Sequence, residues 1–197
     1  MSQDCQELIA IRKLKNTAER YGIVSQAFHW LIVVLIIVQY QMGRIAEDLP
    51  LGFDKLVLMS RHKSLGMTIL GLALLRLLWR LANKSPGSPP GLHRALQGLG
   101  RTTHVALYGL LLALPITGWL ASSYANSPVS WWGWFTVPDL VMPDKENFER
   151  LSELHQLLTR FLIVVVTLHA AAALVHHFYF KDDVLRRMLP GWPGLRK

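Results

Sequence analysis

The chain has 197 residues, of which 51% are hydrophobic and only 17% charged, with a formal net charge of +8. A soluble domain carries about 25% charged residues, so this composition argues against an ordinary soluble fold and for a membrane protein. Cys5 is the only cysteine and there is no C-x-x-C-H, which rules out an intrachain disulfide, a cysteine-held iron–sulfur cluster and covalent c-type haem.

Residues 1–20 form a polar, basic N-terminal tail. The first apolar span covers residues 22–43, contains LIVVLIIV and carries His29 near its start. It is expected to be a retained helix rather than a signal peptide, because a polar stretch precedes it and its core exceeds a usual h-region. The second span, residues 62–81, begins at His62, contains Gly66 and Gly71, and ends in Arg76, Trp79 and Arg80. The connection SPGSPPG that follows is too rich in Pro and Gly to continue a helix, and residues 91–100 are expected as a short surface helix. The third span, residues 104–124, starts at His104.

Residues 125–153 form the longest stretch outside the spans, and they include WWGWF at 131–135. That cluster reads as an aromatic anchor at headgroup level or as a docking surface for a partner. The fourth span, residues 157–180, has His155 just ahead of it and carries Arg160, His169, Ala170 to Ala173, His176 and His177. A basic tail, residues 182–197, follows. Each span reaches the ~20 apolar residues that cross a bilayer. The expectation is an all-α integral membrane four-helix bundle, with one domain over residues 21–181 and no soluble domain.

Charge orients it. Counting Arg80 and Lys181 at the span ends, thirteen Lys and Arg lie in or beside the two tails and the second connection, against five in the first and third connections. The positive-inside rule then puts both termini in the cytoplasm. This bias accounts for most of the net charge, so no nucleic-acid partner is needed; the basic face also suits anionic lipid.

Orientation gives the histidines heights. The first and third spans start inside and the second and fourth start outside, so His29 and His169 fall on the cytoplasmic side and His62 and His155 on the other. His155 and His169 are 14 residues apart on one helix, which is roughly 21 Å of rise and a net turn of about −40°. One helix face therefore presents an imidazole near each membrane surface. Two metal centres follow, one per level, each completed by a histidine of another helix. Neutral imidazole is a good axial ligand for haem iron. A zinc site wants about four ligands at one level, and neither level has them. Each glycine near the ligands serves equally well as room for a planar guest or as ordinary small-residue packing.

His104 and His176 compete as ligands, or face a substrate near the inner centre where imidazole moves a proton. His177 is turned away by about 100° and reads as interfacial; His93 lies in a polar connection and reads as solvent-exposed. Arg160, about one turn inside the fourth span, pairs with a haem propionate or snorkels to the surface. Arg76 and Arg80 read mainly as positive-inside anchors.

RYGIVSQAFHW, RHKSLGMTILG, LRLLWR, LHAAAALVHHFYFKDD and RRMLP together resemble the bacterial cytochrome b561 family, over residues 20–190. The resemblance implies a four-helix bundle of the bacterial inner membrane with two haem b groups. It implies the iron ligand pairs His29 with His169 and His62 with His155, and a quinone near His104 and His176. It also implies electron exchange with ubiquinone, and in at least one relative the oxidation of superoxide on the periplasmic side.

A surface that captures an anion gains rate from positive charge. Here the outer connections set Arg44, Lys55 and Arg61 against Glu47, Asp48 and Asp54, and Lys145 and Arg150 against Asp139, Asp144, Glu146, Glu149 and Glu153. Only Arg61 and Lys63 flank His62. Two functions are therefore expected side by side: an oxidoreductase between periplasmic superoxide, or another redox species, and ubiquinone; and a haem-bearing anchor that wires a periplasmic or membrane redox protein to the quinone pool. A four-helix transporter or scaffold without haem is the third reading, and the two-level histidine pattern argues against it.

Overall fold

A computed structural model describes residues 14–89 and 91–190. Cys5, Arg12, Lys13, Arg196 and Lys197, and with them much of the expected tails, lie outside the described residues. Four long helices dominate: α1 (Ile23–Asp48), α2 (Phe53–Ala82), α3 (Arg94–Tyr124) and α4 (Lys145–Val175). A two-stranded antiparallel hairpin, β1 (Val129–Trp131) and β2 (Phe135–Val137), lies between α3 and α4. All four helices, with the last counted to Phe180, are long and apolar enough to cross a membrane.

The helices outrun the apolar spans read from the sequence. α1 has 26 residues, about 39 Å at 1.5 Å per residue against a hydrocarbon core of ~30 Å. The separate short helix expected at residues 91–100 does not form, because α3 starts at Arg94 and runs on without a break. His93 Nδ1 accepts from Ala95 N at 3.3 Å and marks that start; no proline interrupts the helix before Pro115. The connection expected over residues 125–153 is likewise shorter. Asp144 Oδ1 accepts from Asn147 N at 2.9 Å, an N-cap that starts α4.

The described residues divide into two compact units. The first takes residues up to Leu31, Leu75–Ala106, and the chain from Val164 on. It is tied by side chains reaching for backbone. Trp30 Nε1 donates to Met188 O (2.9 Å), Gln26 Nε2 to Arg187 O (3.1 Å) and Arg187 Nη1 to Gly87 O (2.7 Å). Trp79 Nε1 donates to Ser25 Oγ (3.1 Å), and Ser25 Oγ in turn donates to Asn16 Oδ1 (2.7 Å).

The second unit takes Ile32–Leu74 and Leu107–Ile163. Its apolar centre is Ile32, Leu65, Ile69, Ala73 and Leu111, with Leu35, Ile36, Met42, Leu72 and Leu112 against them. Lys63 Nζ spends its three N–H groups on Ser122 Oγ (2.9 Å), Ser127 O (2.8 Å) and Ser127 Oγ (2.8 Å). The hairpin is stapled to α2: Ser64 Oγ donates to Ser130 O (2.8 Å), and the indoles of Trp131 and Trp132 both donate to Thr68 Oγ1 (3.2 and 3.0 Å). Its turn holds Trp132 at φ 52 and Gly133 at φ 77. Two positive φ values in succession give the turn the twist that closes a hairpin, and a bulky residue there is unusual.

Candidate functional site

Each unit brings together histidines from different helices. In the first unit, α1 supplies His29 and α4 supplies His169, with ring centroids 6.4 Å apart and planes at 73°. In the second, α2 supplies His62 and α4 supplies His155, with centroids 6.4 Å apart and planes at 72°. The pairings reached from helix heights are thus the pairs that meet.

The spacing has a chemical meaning. A metal lies about 2 Å from an imidazole nitrogen, and that nitrogen lies roughly 1.1 Å from its ring centre. Two imidazoles on opposite sides of one iron therefore place their centroids roughly 6.3 Å apart. Ordinary edge-to-face contacts also reach about 6 Å, so distance alone does not decide. Repetition of the same distance and angle in both pairs adds weight. So do His29 Nδ1 and His62 Nδ1, both buried with no hydrogen-bond partner among the described residues. A buried polar nitrogen left so costs stability, unless a further group satisfies it.

Among the described residues no group of three or more His, Cys, Asp and Glu converges as a metal site. Two axial histidines without further protein ligands suit a metal whose remaining positions are filled by a macrocycle. The residues fit haem, and glycines clear space beside the rings. A Cβ on Gly43 would lie 3.3 Å from His62 Cε1, and one on Gly118 would lie 3.3 Å from His155 Cε1.

These are not the glycines the sequence suggested. Gly66 packs against the Gln39 side chain, nothing lies within 4 Å of a Cβ on Gly71, and Ala170 to Ala172 are exposed. Hydropathy ends the first span at Gly43, whereas α1 continues to Asp48. Its position within a helix, away from turn residues, was the one available signal.

The second unit surrounds its pair with polar groups. Gln39 Nε2 lies 3.1 Å from His62 Nε2 and donates to His62 O at 3.0 Å. Thr117 Oγ1 lies 3.1 Å from His155 Nδ1 and donates to Leu114 O at 2.9 Å. Neither Gln39 nor Thr117 stands out in the sequence, since Gln39 sits with Gln41 at the polar end of the first span and Thr117 is one polar residue in an apolar run. In the first unit, aromatic edges do this work: Trp30 lies 5.2 Å from His29 and His104 lies 5.4 Å from His169, centroid to centroid. The second of these is too short to hold a metal between the rings. Arg76 is a charged neighbour of His29, His104 and His169.

His176 lies seven residues beyond His169, about 10.5 Å along the helix axis. α4 loosens into a π-helical turn at His176–Phe180, and Lys181 closes it in the left-handed region at φ 53. The turn brings Asp182 back on His176, with Nδ1 to Oδ2 at 2.6 Å and Asp182 N donating to His176 O at 3.1 Å. Asp182 escapes sequence reasoning because it lies six positions along, a distance only a π-turn closes. His177 is only partly exposed, with its Nδ1 buried and without a hydrogen-bond partner among the described residues. His93 is exposed, as expected. Arg160 is exposed on α4, turned about 140° from His155.

Comparison with known proteins gives the chain its relatives. The family model for prokaryotic cytochrome b561 matches residues 20–191. "Cytochrome b561 homolog 2" of Escherichia coli (strain K12) is 35% identical over 177 residues, 88% of this chain and 93% of that protein. "Probable superoxide oxidase CybB" of Yersinia pestis is 33% identical over 177 residues, 87% of this chain and 97% of that protein. "Cytochrome b561 homolog 1" of Escherichia coli (strain K12) is 27% identical over 172 residues, 87% of this chain and 97% of its own.

Proposed function

The chain belongs to the prokaryotic cytochrome b561 family, and on that premise we propose that it is a dihaem b-type cytochrome of the inner membrane, exchanging electrons between a periplasmic redox partner and the ubiquinone pool. The family carries b-type haem. The observation that carries the number two is the matched pair of histidine pairs, each with centroids 6.4 Å apart.

His29 and His169 hold one haem; His62 and His155 hold the other. When bound, haem supplies reversible one-electron iron chemistry, with a potential set by ligand hydrogen bonds and burial. Gly43 and Gly118 keep side-chain bulk away from the ligand rings. Arg160 is the guanidinium assigned to a propionate. The positive-inside bias puts the termini and the His29–His169 site on the cytoplasmic side.

Quinone reduction takes up protons as well as electrons, so the quinone site needs groups that move protons. His104, beside His169, and His176 are assigned to it. The 2.6 Å bond from His176 Nδ1 to Asp182 fixes which ring nitrogen is left to face a substrate. Superoxide is the proposed periplasmic electron donor, in line with the name of the Yersinia relative.

A second reading, in which the chain wires a partner redox protein to quinone, draws support from Asp139 and Asp144 in the third connection and from Glu153 on α4, acidic groups that suit a basic docking face. Stopped-flow superoxide consumption by the purified, haem-loaded protein, with and without ubiquinone, separates the two. Quinone-dependent consumption that yields quinol supports the oxidoreductase. A normal b-type spectrum without that turnover supports the carrier.

A further inference from the structure

The two residues of α3 that meet His155 are neighbours in sequence and do different things. Gly118 makes room for the ring, and Thr117 bonds to it. Thr117 is buried. Its hydroxyl hydrogen is committed to Leu114 O at 2.9 Å, so toward His155 Nδ1, 3.1 Å away, the oxygen acts as acceptor. The ring must then carry its proton on Nδ1 and keep the lone pair on Nε2. Two hydrogen bonds run in one direction, from His155 to Thr117 to Leu114, and each strengthens the other in a low-dielectric interior.

Resting on the assignment of His155 as a haem ligand, we propose that Thr117 is its positioning residue: it selects the tautomer that offers Nε2 to iron and raises the donor strength of that nitrogen. A metal-ligating histidine that donates its other N–H to an acceptor is a stronger base. A stronger base favours ferric over ferrous iron, so the hydroxyl lowers the midpoint potential of the haem held by His62 and His155.

The test is redox potentiometry on purified, haem-loaded protein, with the two haems told apart by the one that His155→Ala loses. Thr117→Val keeps the shape and removes the hydroxyl acceptor, leaving only the Leu114 carbonyl beside the ring. Its His155 haem is expected to titrate at a higher potential, with the other haem unmoved and two haems still bound. Thr117→Ser keeps the hydroxyl and is expected to titrate as wild type. Thr117→Ala, with less bulk against the ring, serves if the valine variant does not fold, and carries the same expectation of a raised potential.

A potential that is unmoved or lowered in the valine and alanine variants overturns the positioning role. So does a shift in the serine variant as large as in valine. Failure of the underlying assignment looks different: a His155→Ala protein that keeps both haems removes histidine ligation at this position, whatever Thr117 does.

Discussion

At the scale of single residues, the two sites make sharp claims about ligands and about the space beside them. His155→Ala is expected to lower haem content from two to one per chain, read by pyridine haemochrome absorbance, because His62 then lacks the ring 6.4 Å away. Gly118→Val is expected to do the same without touching a ligand. Its Cβ alone would stand 3.3 Å from His155 Cε1, and two further methyl groups have to displace the ring. Gly71→Val is the control, since nothing lies within 4 Å of a Cβ there, and it should keep both haems. Asp182→Asn breaks the charge-assisted bond to His176 and is expected to slow quinone reduction by up to about 100-fold, with the haem spectrum unchanged. These differences among glycines and histidines are invisible in a one-dimensional reading, because neighbours across helices decide them.

At the scale of elements, caps and staples set where the helices begin and what covers them. Asp144→Ala removes the acceptor that starts α4 and should cost about 1 kcal/mol, seen as a lower Tm in detergent with both haems present. Thr68→Val removes the oxygen that accepts from both Trp131 and Trp132. That should loosen the hairpin from α2 by about 1–3 kcal/mol in all, at 0.5–1.5 kcal/mol per bond, and show as faster proteolysis between β1 and β2. Trp134, at 79% exposed, packs edge-on against Trp131, and Phe135 also lies against Trp131, so the aromatic cluster read from the sequence divides into two stapled indoles and two rings gathered on the first of them. The helix types and their order were legible because apolar runs of this length allow little else. Their ends were not, because hydropathy falls off before the hydrogen-bond ladder does.

At the scale of the whole molecule, function depends on which end faces which compartment. Cys5, the only cysteine, makes that testable. In intact spheroplasts a membrane-impermeant maleimide should leave it unlabelled, and permeabilisation should expose it; labelling in the intact cells would reverse the orientation assigned from thirteen basic residues against five and exchange the compartments of the two sites.

By itself the sequence determined that this is a membrane protein of four helices with histidines at two levels, and which family it belongs to. Those properties follow from hydropathy, which acts on each segment alone, and from a helix period that fixes the face on which His155 and His169 fall. Only the tertiary structure decided that both pairs meet at one spacing, that Gly43 and Gly118 rather than Gly66 and Gly71 lie against the ligand rings, and that Thr117 and Asp182 bond to histidines. The reason is physical. A hydrogen bond or a clearance of a few ångströms depends on helix rotation and on local departures such as the π-turn at His176–Phe180, and both emerge only when the helices pack.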